Sequence, residues 1–267
     1  MYVFALAVAA ILVLTTPFAA SGQGTATPTA SEPEIPPVVW ELQSMDAQGS
    51  TVEPDDPSAY TVQFLPDGDM QVRADCNRGH GSYELDGQSL VIGPVALTRM
   101  GCPAWSHDAV FADTLSRATE WAFADDQLVL TTADGAESLT FAPSLAGVVW
   151  QWQGFEGSDD SVVTPNDPAS YTIEFQPDGT LLVQADCNRG NWGWSAEAPE
   201  LTIEPGMMTL VGCEEGSLGD RFSADLIAAS SFVFRDGGLF IAMPMDAGIH
   251  EFAATVRQSE TTPEAGS

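Results

Sequence analysis

Between Tyr60 and Ala74 apolar and polar residues alternate in two short runs. Tyr60, Val62 and Phe64 lie on one side of the first, and Met70, Val72 and Ala74 on one side of the second. Pro66-Asp67-Gly68 separates them, so the pattern predicts a β-hairpin with one buried face. Continued by two residues, the second alternation takes in Cys76 and places it on the inward face. The same phase recurs later, with Tyr171, Ile173 and Phe175 before Pro177-Asp178-Gly179, and Leu181, Val183, Ala185 and Cys187 after it. Further short strands are predicted near Trp40, over 89–92, over 127–131 and over 138–141. One helix interrupts them: Ser106 can cap a run in which Phe111, Leu115 and Ala118 share a face, matched by Phe222, Leu226 and Ala229.

These matches belong to a duplication of the whole unit. Val38-Val39-Trp40 recurs as Val148-Val149-Trp150, and from Pro54 the halves align without a gap as far as Phe141 and Phe252. A period this long means two domains rather than a solenoid. The expected organisation is a first domain over 38–143 and a second over 148–255, each about 105 residues and large enough for its own core. The fold class is mainly β with an α+β character. It comprises two tandem, compact, antiparallel sheets or barrels, each packed by one short helix.

Upstream, Val3 to Leu14 is an apolar run of secretory length, followed by small residues at Ala19-Ala20-Ser21. Residues 1–21 therefore read as a cleaved signal peptide or as an uncleaved anchor. Residues 22–37 and 257–267 are polar and rich in small residues or proline, and read as a spacer and a disordered tail.

Composition changes the picture by exclusion. Thirty-eight acidic residues face eight basic ones, a net charge of -30, and all eight are arginine. That field repels phosphate backbones and anionic headgroups, which argues against nucleic-acid binding and electrostatic membrane docking. Without lysine there is no Schiff-base or P-loop chemistry.

Candidate chemistry centres on a string written twice, Ala-Asp-Cys-Asn-Arg-Gly, at 74–79 and 185–190. Each copy holds one further cysteine 26 positions on, Cys102 or Cys213. Four cysteines allow three pairings, and duplication favours Cys76 with Cys102 and Cys187 with Cys213, since each ancestral unit had to satisfy its own pair. Disulfides in turn fit an oxidising, extracytoplasmic compartment. Asn77, Arg78, Asn188 and Arg189 then follow in what reads as a turn, where each arginine can pair with the aspartate three positions before it or meet an anion. Trp192, where the first copy has Gly81, is a candidate exposed aromatic for stacking on a sugar or a partner. His80, His107 and His250 lack metal-ligand spacing. Asp67 and Asp69 begin like a calcium loop, but Arg78 stands where its closing glutamate belongs. No cofactor, metal or catalytic group is expected, and an envelope component or a small ligand is the expected class of partner.

The stretch CNRGHGSYELDGQSLVIGPVALTRMGCP, Cys76 to Pro103, with Trp40 before it and Phe111 and Leu115 after it, closely resembles the META domain family, whose type member is a heat-shock protein. The resemblance implies a compact β-rich domain with one helix, common in exported or envelope-anchored bacterial proteins and without established enzymatic activity. Copy two departs from the pattern at Trp194, Leu210-Val211 and Glu214-Glu215. The reading is an exported, non-enzymatic tandem protein with an envelope, stress or binding role. The alternative is a module that binds a small molecule or glycan in a β-barrel.

Overall fold

The computed structural model describes residues 34–256. The predicted signal peptide, most of the spacer and the tail lie outside the described residues. The first copy runs β1 (Trp40–Ala47), β2 (Ser50–Val52), β3 (Tyr60–Phe64), β4 (Asp69–Ala74), β5 (Asn77–Asp86), β6 (Ser89–Ile92), β7 (Ala96–Leu97), α1 (Asp108–Arg117), β8 (Ala118–Ala124), β9 (Gln127–Thr132) and β10 (Ser138–Pro143). The second runs β11 (Val149–Gly157), β12 (Val162–Val163), β13 (Tyr171–Phe175), β14 (Thr180–Ala185), β15 (Asn188–Glu197), β16 (Glu200–Met208), α2 (Gly219–Ile227), β17 (Ser231–Arg235), β18 (Gly238–Ala242) and β19 (Gly248–Thr255).

Each copy closes on itself. The sheet order β1-β3-β4-β5-β6-β8-β9-β10 ends with β10 back against β1, and β11-β13-β14-β15-β16-β17-β18-β19 ends with β19 against β11. Both are eight-stranded antiparallel barrels, and closure removes the exposed edges that an open sheet of this size would present. The predicted hairpin is present in register, with Tyr60 opposite Ala74, Val62 opposite Val72 and Phe64 opposite Met70. At its turn Gly68 has φ +84°, and Gly179 repeats this at +83°, a conformation that glycine adopts without the usual steric cost.

The inward residues fill each barrel. Trp40, Phe64, Phe111 and Phe141 are wholly buried in the first, as are Trp152, Phe175, Phe222 and Phe252 in the second. The helix contributes Phe111 and Leu115, or Phe222 and Leu226, to this packing. Tyr60 and Tyr171 fix where the helix begins: each hydroxyl oxygen accepts an N–H bond of 3.0 Å, from His107 and Leu218 respectively. The expected Ser106 cap is displaced by one residue: His107 is the N-cap and makes no side-chain capping bond, while the Ser106 Oγ accepts from the Asp108 N–H at 3.2 Å.

The core of the first copy begins upstream of residue 38. Ile35 is buried, and the Trp40 indole donates to the Pro36 carbonyl. In the second copy Leu145 occupies the corresponding place, and the Trp150 indole donates to the Leu145 carbonyl at 3.0 Å. The short segment before each barrel thus packs onto that barrel's core.

Candidate functional site

The doubled Asp-Cys-Asn-Arg corner is a covalent joint. Disulfides link Cys76 to Cys102 and Cys187 to Cys213, with Cα atoms 5.6 Å apart in both, and no described cysteine is free. The inward placement expected for Cys76 and Cys187 does not hold. Strand β4 stops at Ala74, Asp75 turns the chain with φ +54°, and Asp186 does so at +59°. Cys76 and Cys187 therefore sit in a two-residue hairpin turn, half-buried and exposed respectively, and not on a core face. The turn resets the alternation, because two residues in non-extended geometry break the period of two.

Nor do Asn77, Arg78, Asn188 and Arg189 form the turn; they open β5 and β15. Asn77 is buried and uses both ends of its amide. Its Oδ1 accepts from the Met100 N–H at 2.8 Å and the Thr98 hydroxyl at 3.0 Å, and its Nδ2 donates to Asp108 Oδ2 at 3.1 Å and toward the Met100 carbonyl and Cys102 Sγ. Asn188 repeats the loop bonds with Val211 and Thr209 but has no carboxylate partner, because Gly219 replaces Asp108. Each asparagine thereby fastens the loop that carries the distal cysteine. Gly79 continues the joint: a Cβ there would stand 1.9 Å from the Ala96 carbonyl oxygen, so only glycine admits β7. The Arg78 and Arg189 side chains point to solvent, and among the described residues neither makes an ion pair with Asp75 or Asp186.

Beside this corner the first copy has a cleft of about 460 Å³ lined by Glu53, Asp55, Asp56, Tyr60, Asp75, Trp105 and His107 among others. Trp105 is 70% exposed, and Asp75 Oδ2 is buried without a hydrogen-bond partner. The second copy has Thr164, Asn166, Gly216 and Leu218 in place of Glu53, Asp55, Trp105 and His107, which removes the aromatic wall and two carboxylates. Such a lining favours cations, yet among the described residues no group of three potential ligands is placed to hold a metal ion. The aspartates of this loop have a local task as well: Asp56 accepts from the Ser58 N–H, and Asp167 from the Ala169 N–H, capping matching 3-10 turns.

Trp192 is not exposed. It is buried on β15, where a register shift between Asn191 and Gly193 keeps its side chain inward. The space comes from a reciprocal exchange. In the first copy a Cβ on Gly81 would approach Val95 and Met70 side chains; in the second, Leu181 replaces Met70 opposite Trp192, and Gly206 replaces Val95 and lies against the backbone of Asn191 and Trp192. The indole Nε1 finds no partner there. The stacking role expected for Trp192 is therefore withdrawn.

A second cleft, of about 550 Å³, opens where the outer wall of the first barrel meets the second. From the first barrel come Val39, Glu41, Thr61 and Arg73, from the connection Pro143 to Gly147, and from the second barrel Pro177, Trp194, Phe232 and Phe234. The junction is tied by backbone contacts, including the Gly147 N–H bond to the Phe175 carbonyl at 3.2 Å. Glu41 is held above the usual carboxylate range, chiefly because burial disfavours its charge; Asp56 adds to the rise, while Ser144 and Arg73 oppose it. Arg73 is fixed by bonds to the Ser58 carbonyl at 2.9 Å and the Asp75 carbonyl at 3.2 Å. This cleft escapes sequence reading, because its residues come from segments up to about two hundred positions apart and the facing of the two barrels has no local signature.

The META domain family model matches the chain twice, over residues 34–144 and 143–254. Two solved structures are similar to it. An NMR structure of a protein from Burkholderia xenovorans is 25% identical, with a TM-score of 0.34 over 41% of this chain and 83% of that one. A crystal structure of a DUF4847 family protein from Bacteroides vulgatus is 16% identical, with a TM-score of 0.32 over 42% of this chain and 96% of that one. No curated protein matches the chain.

Proposed function

This chain belongs to the META domain family, with two copies in tandem, and from that premise we propose that it is an exported, non-enzymatic protein of the cell envelope that acts by binding. The observation that carries the binding role is the open cleft at the domain junction, where a partly desolvated carboxyl and a fixed guanidinium lie among largely apolar walls. Such a combination of apolar walls and few polar groups is the usual make-up of a ligand site. Export is supported by the two disulfides, which persist in oxidising compartments, and by the apolar leader. The non-enzymatic reading is supported by the state of the best nucleophiles, since all four cysteines are bridged.

A ligand held inside a barrel is disfavoured, because the barrel interiors are occupied by tryptophan and phenylalanine side chains. Small ligands belong instead to the external clefts. The test is a thermal-shift screen of the mature chain against envelope glycans, lipids and short peptides, paired with fractionation of cells expressing the full chain. A ligand at one hundred times its Kd raises stability by about 2.7 kcal/mol. A chain recovered in the cytoplasm with reduced cysteines, or a screen in which nothing raises the melting point, sinks the proposal.

A further inference from the structure

The wall of the first barrel that faces the junction carries three side chains in cross-strand register. Glu41 on β1 lies opposite Thr61 on β3, and Thr61 lies opposite Arg73 on β4. All three point away from the barrel's interior and line the junction cleft. Adjacent strands are about 4.8 Å apart, so the two charges rise from backbones roughly 10 Å apart with a hydroxyl between them. Among the described residues no direct ion pair joins Glu41 to Arg73. Copy two writes the same row as Gln151, Thr172 and Gln184, equal in shape and uncharged. The charges thus appear on the copy whose wall is covered by its neighbour, where desolvation makes them costly.

Facing this row are Trp194 and Phe234. Trp194 is held by its indole bond to the Gln176 carbonyl at 3.0 Å and by an edge contact with Phe175, and Phe234 rests on Trp150. Both rings are fixed before any ligand arrives, and the Trp194 N–H is already used, so these rings present apolar surface. A carboxylate and a guanidinium separated by one hydroxyl, opposite two fixed rings, complement a molecule that has both an amine and a carboxylate on an apolar body.

We propose that the junction cleft binds a small zwitterion with an aromatic or branched apolar body, of amino-acid or dipeptide size, its amine on Glu41, its carboxylate on Arg73 and its body against Trp194 and Phe234. The inference rests on the binding role argued above. An ammonium group would add a charged partner to a carboxylate that has only a side-chain hydrogen bond from Ser144 and the more distant Arg73 to offset its burial. A ligand of zero net charge also has no long-range attraction to a strongly acidic protein, so its affinity must come from such local pairing.

The test is calorimetric titration of the mature two-domain chain with the dipeptide Phe-Phe, with its N-acetylated amide, and with phenethylamine. Saturable binding of free Phe-Phe is expected, with the doubly blocked form weaker by at least about tenfold, since each charged hydrogen bond lost is of that order. Glu41→Gln and Arg73→Gln install copy two's own residues and leave the fold intact by circular dichroism. Each is expected to weaken Phe-Phe binding by at least about tenfold, while Gln151→Glu leaves it unchanged. If the blocked dipeptide binds as tightly as the free one, or phenethylamine does, the cleft is a site but the zwitterion assignment is overturned. If none of the three binds, the assignment falls while other ligand classes in the thermal screen still decide the binding role.

Discussion

The two barrels share a corner and differ inside. At the corner the disulfide, the asparagine bonds to the distal loop and the tyrosine that anchors the helix recur at matching residues, and only the Asn77 bond to Asp108 is lost, since Gly219 stands there in the second copy. Gly81, Val95 and Met70 of the first barrel become Trp192, Gly206 and Leu181 in the second, and Val110, Thr114 and Leu139 become Arg221, Asp225 and His250, a set that runs from the exposed arginine to the buried imidazole. The changes come in sets whose members touch. A large ring arrives with a glycine that admits it, and a buried histidine arrives with a carboxylate 3.3 Å from its Nε2 and an arginine on that carboxylate. A packed core tolerates substitution when total volume and pairing are kept together. The corner has no such freedom, because its groups bond to backbone atoms whose positions are set by the turn.

The largest effect should come from breaking the first of these sets. Trp192→Ala removes a buried ring whose neighbour is already glycine, so nothing is at hand to fill the space. The second barrel should lose about 3–5 kcal/mol, and urea unfolding should show the loss in one transition while the first barrel is unchanged. Trp192→Phe should cost less, since it also removes the unpartnered indole N–H. A change in Trp192→Ala smaller than about 1 kcal/mol would mean the ring is at the surface after all.

The shared corner sharpens the comparison from the other side. Cys76→Ser should destabilise the first barrel by about 2–5 kcal/mol, and Cys187→Ser the second by a similar amount, because both close loops of the same sequence separation, 26 residues. Neither should disturb the other barrel. Differential calorimetry of each variant beside the parent decides this; a cost shared between both barrels would mean that they unfold as one unit.

These differences mark what could be read in advance. The hairpin was legible because Tyr60, Val62 and Phe64 alternate cleanly and a Pro-Asp-Gly turn follows. The helix was legible from Phe111 and Leu115, and the cysteine pairs from the duplication. The alternation misled at Ala74, because Cys76 continues its phase across a turn that only the φ of Asp75 reveals. Residues 77–86 and 118–124 are strands that the pattern does not predict. Glycine and polar residues crowd the first, and the second follows the helix without a break. Trp192 could not be placed without knowing that Gly206, fourteen positions on, lies against it. Glu41 and Arg73 gave no signal, since an outward charge on a strand reads as an ordinary solvated face until a second domain covers it.

The smallest effect, and the one most specific to the second barrel, is visible only in acid. His250 is 1% exposed, and burial among Trp152, Phe155 and Phe252 is the main reason its pKa is lowered from 6.5 to about 4. The Asp225 carboxylate opposes that shift, and the Arg221 guanidinium, which also lies over the Phe155 ring, adds to it. The folded barrel therefore keeps the imidazole neutral at pH values where the unfolded chain takes up a proton. Because the unfolded state binds more protons, stability falls as pH drops from about 6.5 toward 4, and it is unaffected by this group at neutral pH. The full shift corresponds to about 3 kcal/mol. Replacing the pair with the first barrel's residues, Asp225→Thr with His250→Leu, should remove the decline in the second barrel and leave the first barrel's acid profile as it was. Chemical denaturation at a series of pH values from 7 to 4 measures both. If the double variant keeps the same slope in the second barrel, the acid response comes from its carboxylates and not from the buried imidazole.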